Sequence, residues 1–84
     1  GEGRKTVDYP MIDMRQTGRN ISLLRQQRGI SVSQLQHMLG FATPQAIYKW
    51  QHGASLPTLD NLVALSAIFA VPIDGILILD AGKA

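Results

Sequence analysis

Polar side chains that can read nucleic-acid bases collect on one side of the segment 44–52. With about 100° of rotation per residue, a helix here groups Gln45, Tyr48, Lys49 and His52 on one face, and none of them is acidic. A glutamine amide can pair with adenine, and a lysine ammonium can donate to guanine or to a phosphate. An ordinary solvent-exposed helix face has a similar composition. The pattern by itself therefore fits either a surface that contacts nucleic acid or a helix face that contacts only solvent.

The opposite side of the same segment predicts how this helix is held. Ala46, Ile47 and Trp50 form a small apolar face, which predicts packing in the core rather than stacking on a ligand. Upstream, the segment 32–39 has helical spacing, and only the turn 40–43 separates the two segments. Two helices joined by a short turn containing glycine form a helix-turn-helix arrangement, which is a weak signal when taken alone.

The whole chain is predicted to fold as an all-α, compact five-helix bundle. Helices are expected over residues 18–28, 32–39, 44–52, 59–70 and 73–79. Thr17, Ser31, Thr43 and Thr58 are the expected N-caps of the first four helices. The apolar run 76–79 fits either the fifth helix or a short strand, because short apolar runs are ambiguous by periodicity.

Composition and charge narrow the class of protein. The 84 residues suffice for one domain, and there is no cysteine to form a disulfide or a metal site. No apolar run reaches the roughly 18 residues that a membrane span needs, and no signal peptide is visible, so we expect a cytoplasmic protein without a membrane partner. Residues 14–59 contain no Asp or Glu, and their cations are Arg15, Arg19, Arg25, Arg28 and Lys49. Such a basic block suggests a polyanionic partner.

The sequence suggests neither catalysis nor a cofactor. His37 and His52 fall on different helices without further ligands nearby, whereas a zinc site needs three or four. No Ser-His-Asp or Cys-His arrangement and no glycine-rich phosphate loop is suggested. We therefore expect no enzyme activity, no metal and no cofactor.

We divide the chain into a tail or arm over residues 1–16, a helical domain over residues 17–79 and a tail over residues 80–84. An arm that carries Arg4, Lys5 and Arg15 could reach a nucleic acid. A frayed terminus is the other interpretation of the same residues.

Residues 18–77 resemble the Cro/cI-type (XRE) family of helix-turn-helix DNA-binding domains. The resemblance lies in the pieces LRQQRG (24–29), SQLQHMLG (33–40), QAIYKWQHG (45–53), LPTLDNLVALSAIF (56–69) and VPIDGIL (71–77). It implies a lambda-repressor-like fold in which the third helix is the recognition helix. It also implies a nucleoid-associated regulator of transcription, usually a homodimer on a palindromic duplex.

The resemblance further implies a role for individual residues. Base contacts are expected from Pro44, Gln45, Tyr48 and Lys49. Phosphate contacts are expected from Arg28, Ser31, Ser33, Thr43, His52 and Gly53. Arg25, Gln51 and Trp50 are expected to support the recognition helix.

Three positions depart from the family pattern. Val32 stands where the family often has a glutamine that contacts phosphate, and Ala54 stands where it often has lysine. Gln51 replaces a glutamate that pairs with the arginine at position 25, so a hydrogen bond from Arg25 to a neutral amide is expected instead. The two missing phosphate contacts predict weaker non-specific binding.

The apolar run of Ile76, Leu77, Ile78 and Leu79 has two interpretations. It can close the core, or it can form an exposed patch that pairs with a second copy, which we prefer because a two-fold dimer presents two recognition helices to one DNA face. A second function class also stays open, in which the acidic, apolar C-terminal end binds a partner protein, as an antitoxin binds its toxin. Structured RNA is a weaker third option, because no exposed aromatic platform is evident.

Overall fold

The computed structural model of the protein describes residues 9–80, which form four α-helices, one 3₁₀ turn and a two-stranded sheet. The order is β1 (Met11–Ile12), α1 (Met14–Gln27), α2 (Val32–Leu39), α3 (Gln45–Gln51), α4 (Leu59–Phe69), the 3₁₀ turn (Ile73–Gly75) and β2 (Leu79–Asp80). The predicted cations of an N-terminal arm, Arg4 and Lys5, lie outside the described residues, as do residues 81–84 of the tail predicted over residues 80–84. The first residue of that predicted tail, Asp80, lies in β2. No helix among the described residues is long and apolar enough to cross a membrane.

Local capping sets the starts of α2 and α4 where the sequence predicts them. At α2, Ser31 Oγ accepts from the Gln34 amide at 3.0 Å, and Gln34 Oε1 accepts from the Ser31 amide at 2.8 Å. This reciprocal pair is a capping box. At α4, Thr58 Oγ1 accepts from the Asn61 amide at 3.2 Å. The predicted N-caps Ser31 and Thr58 are confirmed.

The first helix begins earlier than predicted. Asp13 is its N-cap, and the carboxylate accepts from the Gln16 amide at 2.9 Å. The predicted N-cap Thr17 is wrong, because this residue is fully buried inside α1 and its Oγ1 accepts from the Ile78 amide at 2.9 Å. Residues 11–16, which were expected in a tail or arm, therefore form β1 and the first residues of α1.

The fifth helix predicted over residues 73–79 is also wrong. Only Ile73–Gly75 is helical, as a 3₁₀ turn, and the chain then extends into β2. β2 pairs antiparallel with β1 in the register Met11 to Asp80 and Ile12 to Leu79. The short-strand interpretation of the apolar run holds for its last residue, because a partner strand lies at the other end of the described chain.

The core lies among all four helices and the 3₁₀ turn. Its buried apolar side chains are Ile21, Leu24, Leu35, Ile47, Trp50, Leu62, Leu65, Phe69 and Ile76. Ile76 is fully buried and Leu77 packs partly against this cluster. The structure therefore corrects the expectation that the whole run 76–79 is exposed for contact with a second copy, and only Ile78 and Leu79 are exposed.

Candidate nucleic-acid interface

The turn between α2 and α3 is fixed by backbone and side-chain hydrogen bonds. Gly40 ends α2 in the left-handed conformation with φ 74°, which glycine adopts without a Cβ penalty. The Phe41 amide donates to the Gln36 carbonyl at 3.0 Å, and Gln36 Nε2 donates to the Phe41 carbonyl at 3.2 Å. These two bonds tie the turn to the last part of α2 and so set the direction in which α3 leaves.

The inner face of α3 anchors the helix to the core. Ile47 is fully buried and Trp50 is 3% exposed. The Phe41 ring meets the Trp50 ring edge-on, with centroids 5.8 Å apart and planes at 69°, which is a favourable aromatic geometry. The turn and α3 are therefore packed against each other, and α3 also packs against α1.

The outer face of α3 is exposed to solvent, and its polar side chains are not engaged in hydrogen bonds with other described residues. Gln45, Tyr48 and Lys49 are exposed, and none of their side chains has a hydrogen-bond partner among the described residues. Pro44 is the N-cap of α3 and is half-buried. The four residues predicted to contact bases thus lie together at the start and on the open side of one short helix.

The start of α3 differs in detail from the expectation. Pro44 takes the N-cap position that was predicted for Thr43, and α3 runs from Gln45 rather than from Pro44. Thr43 Oγ1 accepts from the Gln45 amide at 3.5 Å, which is the weak limit of a hydrogen bond. The Thr43 hydroxyl is exposed beside the first turn of α3, so the side chain stays open to a ligand.

The predicted phosphate-contact residues do not share one environment. Ser33 is exposed at the start of α2, and Ser31 is exposed while its Oγ caps α2. His52 is exposed as the C-cap of α3, and Gly53 follows it with φ 74°. Arg28 is exposed near the start of α2 and lines one surface depression together with Ser33, while its Nε donates to the Phe69 carbonyl at the end of α4 at 2.7 Å. Arg28 therefore shares a surface with Ser33, although part of its guanidinium is engaged within the domain.

Arg25 and Gln51 link α1 to the end of α3. Arg25 Nε donates to Gln51 Oε1 at 3.0 Å, in partly buried surroundings. Arg25 Nη1 donates to the Ile30 carbonyl at 2.8 Å, which joins the loop before α2 to the same guanidinium. One arginine thus holds the end of α3 and the approach to α2 in a fixed relation.

The loop after α3 rests directly on the start of α1. The Gly53 and Ala54 amides donate to the Trp50 and Lys49 carbonyls at 3.0 and 2.8 Å. A Cβ at Gly53 would lie 2.9 Å from Arg15 Cα. In the sequence, Arg15 and Arg19 belong to the acid-free basic block and Arg15 also to a possible arm, but the pattern assigned neither residue an individual DNA contact. Their spacing of four residues in that block was the available signal.

The described residues contain no group of three or more His, Cys, Asp or Glu side chains that could hold a metal ion. His37 is exposed on α2, and its Nδ1 lies 2.8 Å from the Ser33 carbonyl. His52 lies at the end of α3. The chemistry of this surface is that of hydrogen-bond donors, acceptors and cations.

Known proteins share this arrangement of helices. Residues 21–76 match the family model described as Helix-turn-helix. Two solved structures are similar, the DNA-binding domain of BldD and the S. venezulae BldD DNA-binding domain. Each is 20% identical, aligns with a TM-score of 0.65 over 77% of this chain, and is covered over 93% and 96% of its own length, respectively. No curated protein matches the chain.

Proposed function

Because the chain belongs to the XRE-type helix-turn-helix family of DNA-binding domains, we propose that it represses transcription by occupying a specific duplex operator. In this proposal α3 enters the major groove and α2 lies across the sugar-phosphate backbone. Bound in this way, the domain blocks other proteins from the same DNA. The chromosome is then its site of action.

One observation carries the proposal. α3 buries Ile47 and Trp50 on one face while Gln45, Tyr48 and Lys49 stand exposed and unpaired on the other. A rigid helix with free amide, hydroxyl and ammonium groups fits the dimensions and the hydrogen-bonding edges of the major groove. We assign the base contacts to these three residues and to Pro44.

We assign the phosphate contacts to the residues that flank α3. They are Ser31, Ser33, Thr43, His52 and Gly53. Hydroxyl groups, the His52 ring and backbone amides are all suitable phosphate donors. Arg28 is assigned a phosphate contact as well, because it is exposed and lines one surface depression with Ser33, while only its Nε donates to the Phe69 carbonyl.

We propose further that two copies bind a palindromic operator. The β1–β2 ribbon exposes Met11 at 65%, Ile12 at 41% and Leu79 at 56%. A two-stranded ribbon is only marginally stable in water by itself, and exposed apolar edges favour pairing. The ribbon is therefore the surface that a second copy covers, and it replaces the run 76–79 as the proposed dimer contact.

The same ribbon supports the second candidate function. An apolar ribbon that ends in Asp80 can also bind a different protein, as an antitoxin does, with α3 either free or on DNA. A monomer in solution that binds DNA weakly would favour this candidate. A dimer would favour the first.

Selection of tight binders from a pool of random duplexes tests the main proposal, with fluorescence anisotropy as the readout. We expect enrichment of one palindromic sequence, and we expect its association constant to fall steeply as salt rises. A pool that shows no enrichment would overturn sequence-specific binding. A single enriched half-site without symmetry would overturn the dimer alone.

A further inference from the structure

Two arginines on α1 form an exposed basic strip. Arg15 and Arg19 are four residues apart, so their side chains lie next to each other on one helix face. Both are exposed, and neither has a hydrogen bond or ion pair with another described residue. Arg25 and Arg28 differ from them, because both donate to acceptors within the domain.

Close packing holds this strip beside the end of α3. A Cβ at Gly53 would lie 2.9 Å from Arg15 Cα, so the loop after α3 touches the backbone of α1 at this point. Arg19 lines one surface depression together with Gln51 and His52. The strip therefore continues the exposed surface of α3 past its C-terminal end.

No carboxylate in the described part of the chain forms an ion pair with either of these cations. Residues 14–59 contain no Asp or Glu, and the Asp13 carboxylate accepts from the Gln16 amide as the cap of α1. An arginine guanidinium is planar and always charged, and it can donate two parallel hydrogen bonds to one phosphate. Two unpaired guanidinium groups on one face thus suit a chain of phosphates.

From this placement we propose that Arg15 and Arg19 bind the phosphate backbone that borders the groove occupied by α3. The inference rests on the proposed function, because the strip reaches DNA only when α3 lies in the groove. Both residues precede the segment 21–76 that matches the family model. They extend the DNA surface onto the start of α1 and offset the phosphate contacts that Val32 and Ala54 cannot make.

The salt dependence of binding measures these contacts directly. Each phosphate contact contributes about 0.9 to the slope of log K against log salt. The variant Arg15→Ala/Arg19→Ala of the full chain should therefore show a slope smaller in magnitude by about 1.8 per bound copy, which is about 3.6 when two copies occupy the selected palindromic operator. Affinity for a random duplex should fall by a similar factor, because phosphate contacts carry no base information.

Two variants serve as controls. Arg15→Lys/Arg19→Lys keeps both charges and should keep the slope. Gln27→Ala, an exposed substitution near the end of α1 that removes no charge, should leave the slope unchanged. Thermal unfolding of each variant verifies that the fold is retained.

The outcomes separate the two proposals. If the unaltered chain selects no sequence, the proposed function fails and this inference fails with it. If the unaltered chain selects an operator but the double alanine variant keeps its full salt slope, this inference alone is overturned. A reduced slope in the alanine variant, restored by lysine, supports it.

Discussion

Gln45 and Lys49 keep their polar groups free because α3 is anchored from the opposite side. Ile47 and Trp50 hold the helix in the core, so the outer side chains need no partner within the protein to be positioned. Side chains that are free before binding lose no internal hydrogen bond when they meet a base. For these two side chains, the cost of contacting a base is then desolvation and the fixing of their rotamers, in addition to the translational and rotational freedom that the whole domain loses on binding.

At the scale of single residues, we predict the effect of removing these groups. Gln45→Ala and Lys49→Ala should each weaken binding to the selected operator by about 1–3 kcal/mol, the usual value of a good base contact. Fluorescence anisotropy measures the change. Gln27→Ala, an exposed substitution near the end of α1, is the matched control and should have no effect. If neither α3 variant loses affinity, the outer face of α3 is not the reading surface.

A second residue-scale prediction concerns the hydrogen bond between Arg25 and Gln51. Gln51→Leu leaves the partly buried Arg25 Nε without its acceptor and should lower the free energy of unfolding by about 1–3 kcal/mol. Gln51→Glu turns the bond into a charge-assisted one and should raise the free energy of unfolding by about 1 kcal/mol. Urea unfolding monitored through Trp50 tests both. A leucine variant as stable as the parent chain would contradict the supporting role.

At the scale of elements, the crossing of α1 and α3 depends on one glycine. A Cβ at Gly18 would lie 2.0 Å from the Trp50 carbonyl oxygen and 2.9 Å from that of Gln51. No side chain of any size fits there unless the two helices move apart. Glycine is less favourable than alanine inside a helix by about 1 kcal/mol. The close packing of α1 against α3 offsets this cost at Gly18.

We predict that Gly18→Ala destabilises the protein although alanine is the better helix former. The clash is with backbone atoms, which cannot move aside as a flexible side chain can. The free energy of unfolding should therefore fall by about 1–3 kcal/mol. Denaturant unfolding measures it. Gly29→Ala is the comparison variant. A Cβ there meets nothing within 4 Å, so any loss of stability in this variant reports only the strain of alanine at the left-handed φ of 66° and no steric clash. An increase in stability for Gly18→Ala would disprove the close approach.

The same elements show what the sequence can predict. The starts of α2 and α4 were predicted because Ser31 and Thr58 make their capping bonds to residues three positions away. Thr17 and Gly18 resemble a helix start equally well, but their partners are Ile78 and the Trp50 carbonyl, far along the chain. Local patterns hold no information on such contacts, so α1 was predicted too short.

The candidate site divides in the same way. The exposure of the polar side chains of α3 can be predicted from helical periodicity, which is read directly from the sequence. The engagement of Arg28 with the Phe69 carbonyl does not, because it depends on where the end of α4 comes to lie. The strand pairing of β2 likewise needed β1, which no local pattern connects to it.

At the scale of the whole molecule, the ribbon predicts the oligomeric state. Leu79 is 56% exposed, so Leu79→Lys should leave the fold intact while placing a charge in the proposed dimer contact. We expect light scattering to give a mass near twice the 9.2 kDa chain for the parent protein and near one chain for the variant. Binding to the palindromic operator should weaken, because the two half-sites are no longer engaged together.

A matched substitution checks that this effect is specific to the ribbon. Leu59 is 73% exposed at the start of α4, so Leu59→Lys adds the same charge at an exposed position outside β1 and β2. It should leave both the mass and the operator affinity unchanged. A parent chain that is monomeric at all concentrations would contradict a dimer formed through the ribbon.

The register of β1 with β2 also decides how the domain responds to a pulling force. Met11 and Asp80 are paired, so the two ends of the described chain leave the ribbon side by side and in the same direction. Tension on these ends loads the ladder one hydrogen bond at a time, as in opening a zipper, rather than shearing all bonds at once. The ribbon therefore yields at low force. The hydrogen bonds at Ile78, whose carbonyl accepts from the Asp13 amide and whose amide donates to Thr17 Oγ1, bear the load next, before the helices that hold the DNA surface are disturbed.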